Sequence, residues 1–297
     1  MRSYPLWQVD AFTDRPLAGN ACAVLFEADD LDEAHMLAIS REMNLSETAF
    51  VRHSARADFA ARYFTPAVEI PLAGHPTIAT VYALVDSGRL ALTGDQHTIS
   101  LELPAGIIPV EIFAAEGKIQ RIFMTQLKPV FLHKYDPVEV MTVFHLTPED
   151  AIPGAAIQTV STGTPQLMVP LRSQAALRRA QVDIPAYLAL RSRSDFASVH
   201  LFCLQGATPV GKTFARHLDV PPDILEDPFT GSATGGMGAY LWRYQLIDQP
   251  AFIAEQGHWL GRPGQATVEV IGPPEDIQAV KVGGQAVTIL RGELTLP

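Results

Sequence analysis

The segment VEIPLAGHPT, residues 68–77, is echoed by LEDPFTGSAT, residues 225–234. Both read E-x-P-x-x-G-x-x-T: Glu69, Pro71, Gly74 and Thr77 match Glu226, Pro228, Gly231 and Thr234 at one constant spacing. Each segment runs into an apolar stretch rich in small residues, IATVYALV after the first and GGMGAYLW after the second. Four identities in ten positions can arise by chance. The shared context, a loop entering a buried helix in each half, argues for duplication. The chain is then expected to fold as two similar halves, each with its own core.

Helix starts carry the chemical content of the echo. The first turn of a helix leaves backbone N–H groups unpaired and bears partial positive charge. Glycine there lets a ligand approach the backbone closely. One such terminus is a modest anion site. Two, related by a pseudo-twofold axis, would face one cleft and suit a small carboxylate. The plainer alternative is two ordinary capped helices in the core.

His75 and Ser232 hold equivalent positions directly after Gly74 and Gly231, and Asp227 shortly precedes the second glycine. A further candidate, Glu47 in NLSETAFV, lies between a helix end and an apolar strand. A carboxyl partly buried there would have a raised pKa and could shuttle protons. Each residue also has a structural reading. Glu47 could be a solvated acid at a helix end, His75 a histidine bonding its own loop, Asp227 a turn residue before Pro228, and Ser232 a helix cap.

Short elements alternate along the chain. WQVDAFT and ACAVLFE read as strands around the turn DRPLAGN. Residues 32–43 read as a helix, with Met36, Leu37, Ile39 and Met43 facing inward. ETAFV and ADFAARYF alternate like strands, and a helix is expected over Pro76–Asp86, ending near Gly88. HTISLEL, IIPVEIF and QRIFMTQ suggest an antiparallel run with AAEGK as a hairpin turn. The second half repeats the plan: QTVST and QLMVPL around GTP, a helix over 174–191 interrupted at Pro185, the strand SVHLFCLQ, and a helix over Ala233–Tyr244. QATVEVI, IQAVKVG and AVTILRG close the chain as strands. The expected division is residues 1–115, joined by a C-terminal strand at about 286–297, against residues 116–285.

The chain has 297 residues, 47% hydrophobic and 18% charged, which suits a globular protein with two cores. A net charge of −10 argues against nucleic acid or an anionic membrane as partner. Cys22 and Cys203 sit in no C-x-x-C or metal-ligand pattern, and a reduced, cytoplasmic setting is expected. The N-terminal residues contain no apolar run long enough for a signal peptide or membrane span. GATPVGKT, residues 206–213, fits the P-loop pattern G-x-x-x-x-G-K-[ST]. The context fails it: TFARHLDV meets Pro221 and Pro222 after about two helical turns, and Pro209 removes a donor from the loop. The expected alternative is a strand-to-strand loop with Lys212 in solvent. The nine histidines form no metal-binding spacing, and no G-x-S-x-G marks a nucleophile elbow.

The stretches VDAFTDRPLAGNACAV, MNLSETAFV, YFTPAVEIPLAGHPT, VSTGTPQLMV, EDPFTGSATG and LGRPGQATVEV together resemble the PhzF-like isomerases of phenazine biosynthesis. That family shares its architecture with diaminopimelate epimerase. The resemblance implies an α+β fold of two pseudo-symmetric halves, each a curved, mostly antiparallel, barrel-like sheet around a central helix. It makes Glu47 the proton-shuttling acid/base, with His75, Asp227 and Ser232 orienting and polarising the substrate. Gly74, Gly231, Asn20 and Thr230 would bind it. It implies a small carboxylate substrate, proton transfer between carbons, no metal or organic cofactor, and a homodimer.

Related epimerases use two cysteines where this chain has His75 and Ser232. A serine is a poor carbon-acid base without an activating partner, so one-base transfer by Glu47 is preferred to two-base inversion. The family's arginine–aromatic–Ala–Pro stretch is here ARHLDVPP, residues 215–222, with Arg216 in the arginine's place. That departure leaves the substrate open. An epimerase or racemase of an amino-acid-like substrate, a non-catalytic carboxylate-binding protein and, least, a nucleotide hydrolase stand as the other readings.

Overall fold

A computed structural model describes residues 1–221 and 223–296; Pro222 of ARHLDVPP and Pro297 of the expected C-terminal strand lie outside the described residues. In chain order the elements are β1 (Arg2–Ala11), β2 (Asn20–Leu25), α1 (Glu33–Met43), β3 (Glu47–Arg52), β4 (Phe59–Phe64), β5 (Glu69–Ile70), α2 (Gly74–Asp86), β6 (Gln96–Leu103), β7 (Gly106–Ala115) and β8 (Lys118–Gln126). There follow β9 (Val130–Tyr135), α3 (Pro137–Val143), β10 (Ile157–Ser161), β11 (Pro165–Leu171), α4 (Gln174–Arg179), α5 (Ile184–Arg191), β12 (Ser198–Cys203), β13 (Thr213–Leu218) and β14 (Glu226–Asp227). Then come α6 (Gly231–Arg243), β15 (Ala251–Gln256), β16 (Gly264–Ile271), β17 (Ala279–Gly284) and β18 (Ala286–Leu296). The chain forms two compact units: Met1–Thr125 with the segment from Val282 onward, and Gln126–Lys281.

In the first unit β1 pairs antiparallel with β18 and β2, and β2 pairs parallel with β3 across the α1 crossover. β3 then pairs antiparallel with β4, β4 parallel with β6, and β6 antiparallel with β7. Asp32 caps α1 by accepting from the His35 N–H, and Asn44 closes it in the left-handed conformation. Met36 and Ile39 are buried as the periodicity requires; Leu37 and Met43 pack partly buried against the cluster of Tyr4, Leu25, Phe50 and Phe64. Strict alternation on β6 and β7 buries Ile99, Leu101, Ile108, Val110 and Ile112. Glu116 and Gly117, both at positive φ, make the turn into β8. The centre of the unit is α2, buried along most of its length against β1, β2, β3 and β18.

The second unit repeats this order. β10 pairs antiparallel with β9 and β11, and β11 pairs parallel with β12 across α4 and α5. β12 pairs antiparallel with β13, β13 parallel with β15, and β15 antiparallel with β16. α6 takes the place of α2 and packs against β10, β11 and β16. In each unit the sheet is curled and not closed. Its helix glycines are close-approach sites: a Cβ on Gly235 would strike the Gln126 amide, and one on Gly238 would strike Val268. Packing, not nucleotide binding, explains GSATGGMG.

The echo has a structural core. Glu69 and Glu226 open two-residue strands, β5 and β14, that pair back onto β4 and β13. Arg62 grips Glu69 through Nε and Nη2, each at 2.6 Å. Arg216 grips Glu226 in the same fork, at 2.9 and 2.7 Å. Each bidentate pair fixes the approach of the chain to its central helix.

Three elements lie where the pattern gave no expectation. β9 turns Val130 and Leu132 outward, α3 is a short helix opened by Asp136 and Pro137, and β15 buries Ala254, Glu255 and Gln256 in succession. The single helix expected over 174–191 is two, divided at Ala180–Asp183 and not at Pro185. Asp183 caps α5, and Pro185 lies in its first turn, where the missing N–H has no helical partner to lose.

GATPVGKT joins strand β12 to strand β13, as the alternative reading expects. Thr208 donates its N–H and Oγ1–H to the buried Glu255 carboxylate at 2.9 and 2.5 Å, and Gln265 donates to it at 2.7 Å. Gly211 lies so close that a Cβ would meet the same carboxylate. Lys212 is exposed.

Candidate active site

In the first unit, Asp10 and Gly19 shape the loop that presents Asn20. The buried Asp10 carboxylate accepts from the Leu17 N–H at 2.7 Å, and Gly19 sits at positive φ against the Ala11 carbonyl. Asn20 opens β2, and its Nδ2 lies 3.0 Å from His75 Nδ1. An amide nitrogen only donates, so Nδ1 accepts and the neutral ring carries its proton on Nε2. That Nε2 lies 3.0 Å from Glu47 Oε2; the His75 side chain is 3% exposed and the Glu47 side chain 17%. Ser46 Oγ donates to Asn20 Oδ1 at 3.4 Å. Gly74 is the first residue of α2 and His75 the second. Asn20, Glu47, Gly74 and His75 are therefore one cluster.

In the second unit, Asp227, Thr230, Gly231 and Ser232 cluster at the start of α6. Thr230 Oγ1 donates to Asp227 Oδ2 at 2.5 Å, and Gln256 Nε2 donates to the Asp227 carbonyl at 2.7 Å. Gln166 Nε2 donates to Ser232 Oγ at 2.9 Å. Gln126 donates to the Gly231 carbonyl at 2.9 Å and accepts from Thr162 at 2.6 Å. Ser232 is the second residue of the helix and not its cap. The amides of Gln126, Gln166 and Gln256 were not anticipated; Gln166 in VSTGTPQLMV gave the one sequence signal, a polar residue inside a buried strand.

Capping separates the two central helices from the rest. α1, α3, α4 and α5 each have a side-chain N-cap, from Asp32, Asp136, Ser173 and Asp183. α2 and α6 have none, and neither has an acidic residue in its first turn. Their leading N–H groups are not occupied by capping side chains.

The registers also match the clusters residue by residue. Tyr63 opposes Ile70 in the first unit as His217 opposes Asp227 in the second. Ala49 opposes Tyr63 as His200 opposes His217, and Val24 pairs with Ala49 as Met168 pairs with His200. Two residues back on β3 and β12, Glu47 and Ser198 become equivalent. The acid of one unit thus has a serine as its counterpart in the other. Cys22 and Cys203 are buried free thiols, and burial raises both pKa values.

A duplicated curled sheet around an uncapped helix, with polar residues gathered at the helix start, defines the fold class of the PhzF and diaminopimelate epimerase-like proteins. The sequence profile of the phenazine biosynthesis-like (PhzC-PhzF) family matches residues 9–292, and the chain belongs to that family. It is 35% identical over 272 residues to the uncharacterized isomerase YfhB of Bacillus subtilis, covering 91% of this chain and 92% of that protein. It is 32% identical over 291 residues to the trans-2,3-dihydro-3-hydroxyanthranilate isomerase of Pseudomonas aeruginosa, covering 97% and 98%. The PhzF-family phenazine biosynthesis protein of Bacillus anthracis superposes over 100% of both chains with a TM-score of 0.88 at 30% identity. The chain is an enzyme of the isomerase class. Among the described residues, no helix is long and apolar enough to cross a membrane.

Proposed function

We propose that the protein isomerises a small carboxylate by moving a proton between two carbons, with Glu47 as the single acid/base. The observation that carries this reading is the Glu47–His75 pair. A neutral imidazole, its tautomer set by Asn20, places its protonated Nε2 3.0 Å from Glu47 Oε2, beside the start of α2. Glu47 in its ionised form takes a proton from carbon and in its protonated form returns it, so charge balances over the cycle. The N–H groups at Gly74 and Gly231 bind the substrate carboxylate.

Ser232 and Asp227 orient and polarise the substrate, with Thr230 and Asn20 holding them and His75 in place. Ser232 Oγ accepts from Gln166, so its own proton is free to be donated, and among the described residues no base is hydrogen-bonded to it. That favours a hydrogen-bond donor over a second base. Ser198, the counterpart of Glu47, points the same way. One-base transfer is therefore preferred to two-base epimerisation. We further propose that the reaction needs no cofactor and that the enzyme works in the cytoplasm as a homodimer.

The test is solvent-deuterium incorporation into trans-2,3-dihydro-3-hydroxyanthranilate and a panel of small cyclic and amino carboxylates. Turnover-dependent exchange by the wild type, with loss in Glu47→Gln while the fold is retained, supports the reading. Capture of a carboxylate without exchange marks a binding protein instead.

A further inference from the structure

Three titratable side chains form a row across β12, β13 and β14. His200 opposes His217, and His217 opposes Asp227, in successive antiparallel registers, so the three share one face. The equivalent row in the first unit is Ala49, Tyr63 and Ile70. The duplicated fold therefore does not require these histidines. His200 is fully buried and His217 nearly so, and their Nδ1 atoms lie 3.3 Å apart.

At that distance one Nδ1 donates and the other accepts. The far side of His200 decides which. Its Nε2 is buried without a hydrogen-bonding partner among the described residues, beside the Phe202 ring and opposite Met168 on β11. A buried N–H without an acceptor is the costlier state, and a bare lone pair the cheaper one. His200 Nε2 is then unprotonated, and Nδ1–H donates. His217 Nδ1 must accept, which leaves its proton on Nε2. The strand beyond His217 presents Asp227, whose charge acts on the His217 ring. Burial lowers the basicity of both rings, so both are neutral near pH 7.

We propose that His200 locks His217 in the Nε2–H tautomer and that His217, through that N–H, is a positioning residue for the Asp227 carboxylate. Thr230 Oγ1 holds the same carboxylate from the helix side. Only the consequence for turnover rests on the reading of Asp227 as a substrate-facing group; the tautomers and the His217–Asp227 coupling do not.

The experiment is long-range ¹H–¹⁵N correlation on histidine-labelled full-length protein, with signals assigned through His200→Phe and His217→Gln. The expected spectrum at pH 7 has His200 as the Nδ1–H form and His217 as the Nε2–H form. In Asp227→Asn the His217 titration midpoint is expected to fall further, because the carboxylate that raises it is gone. A His217 that is Nδ1–H, averaged between tautomers or charged at pH 7 overturns the proposal, as does a midpoint unmoved by Asp227→Asn. In the exchange assay, His217→Leu is expected to lose tenfold or more in kcat, with His217→Gln recovering most of it through its amide N–H. Equal, wild-type kcat in both variants overturns the positioning role. A wild type that exchanges no carboxylate defeats the functional reading alone, and the spectra still decide this one.

Discussion

Glu47 Oε2 and His75 Nε2 lie 3.0 Å apart, and the tautomer that puts a proton on that Nε2 is set by a third residue, Asn20. The Glu47 carboxylate thus lies beside an imidazole whose own tautomer is fixed from β2.

Asn20→Leu removes the donor to His75 Nδ1 and frees the ring to adopt either tautomer. Exchange activity is expected to fall about tenfold, while substrate affinity changes less, since a lost hydrogen bond at a positioning group is worth about 1.5 kcal/mol. The split between kcat and KM checks it.

Ser232→Ala leaves the buried Gln166 amide without its acceptor. A stability loss of about 1–3 kcal/mol is expected from the unsatisfied donor. Ser232→Thr keeps the oxygen and should recover part of it. Denaturant midpoints at fixed pH measure both.

Arg216 holds Glu226 in a fork and also donates to the Leu177 and Ala180 carbonyls at the end of α4. Arg216→Lys cannot reproduce the fork. It is expected to cost about 2–3 kcal/mol, part of the penalty for breaking a partly buried ion pair. Hydrogen exchange should accelerate around β14 and the C-terminal turn of α4 before other parts of the second unit.

Much of this was readable in the chain. The echo located both helix starts, with His75 and Ser232 each second in its helix and Glu47 beside His75. The echoed glutamates are the partners of Arg62 and Arg216, seven and ten residues earlier and outside the echoed segments. β15 escaped notice because Ala254, Glu255 and Gln256 are buried together, which breaks the alternation that marks a strand. Glu255 reads as a surface acid, yet it is the buried anchor of the GATPVGKT loop. Long-range polar partners of this kind leave no periodic trace.

That anchor separates two variants of the loop. Lys212→Ala, at an exposed side chain, is expected to shift stability by no more than about 0.5 kcal/mol. Thr208→Val removes the Oγ1–H donor to a buried carboxylate and is expected to cost about 1.5–3 kcal/mol. Thermal melts of the two proteins check the contrast.

Stability should decline on mild acidification. Burial holds His200 well below its ordinary value and His217 at about 4, with Asp227 partly opposing the latter. Between the unfolded value near 6.5 and about 4, the unfolded chain binds more protons than the native one, so unfolding is favoured as pH falls. Asp219 acts in the opposite sense: burial, with Asp223 and Asp227 adding to it, raises its pKa to about 6 against the backbone donor at Val220 and Arg191. Two histidines outweigh one carboxyl. The unfolding free energy is expected to fall between pH 6.5 and 5 by up to about 1.4 kcal/mol per pH unit for each net proton. His200→Phe should flatten that slope.

The most direct measurement is the rate at which solvent deuterium enters a bound carboxylate in wild type and in Glu47→Gln, with binding followed separately by calorimetry. The account predicts a Glu47→Gln protein that still binds its ligand and exchanges about 10²–10⁴ times more slowly. A Glu47→Gln protein that exchanges at the wild-type rate contradicts it.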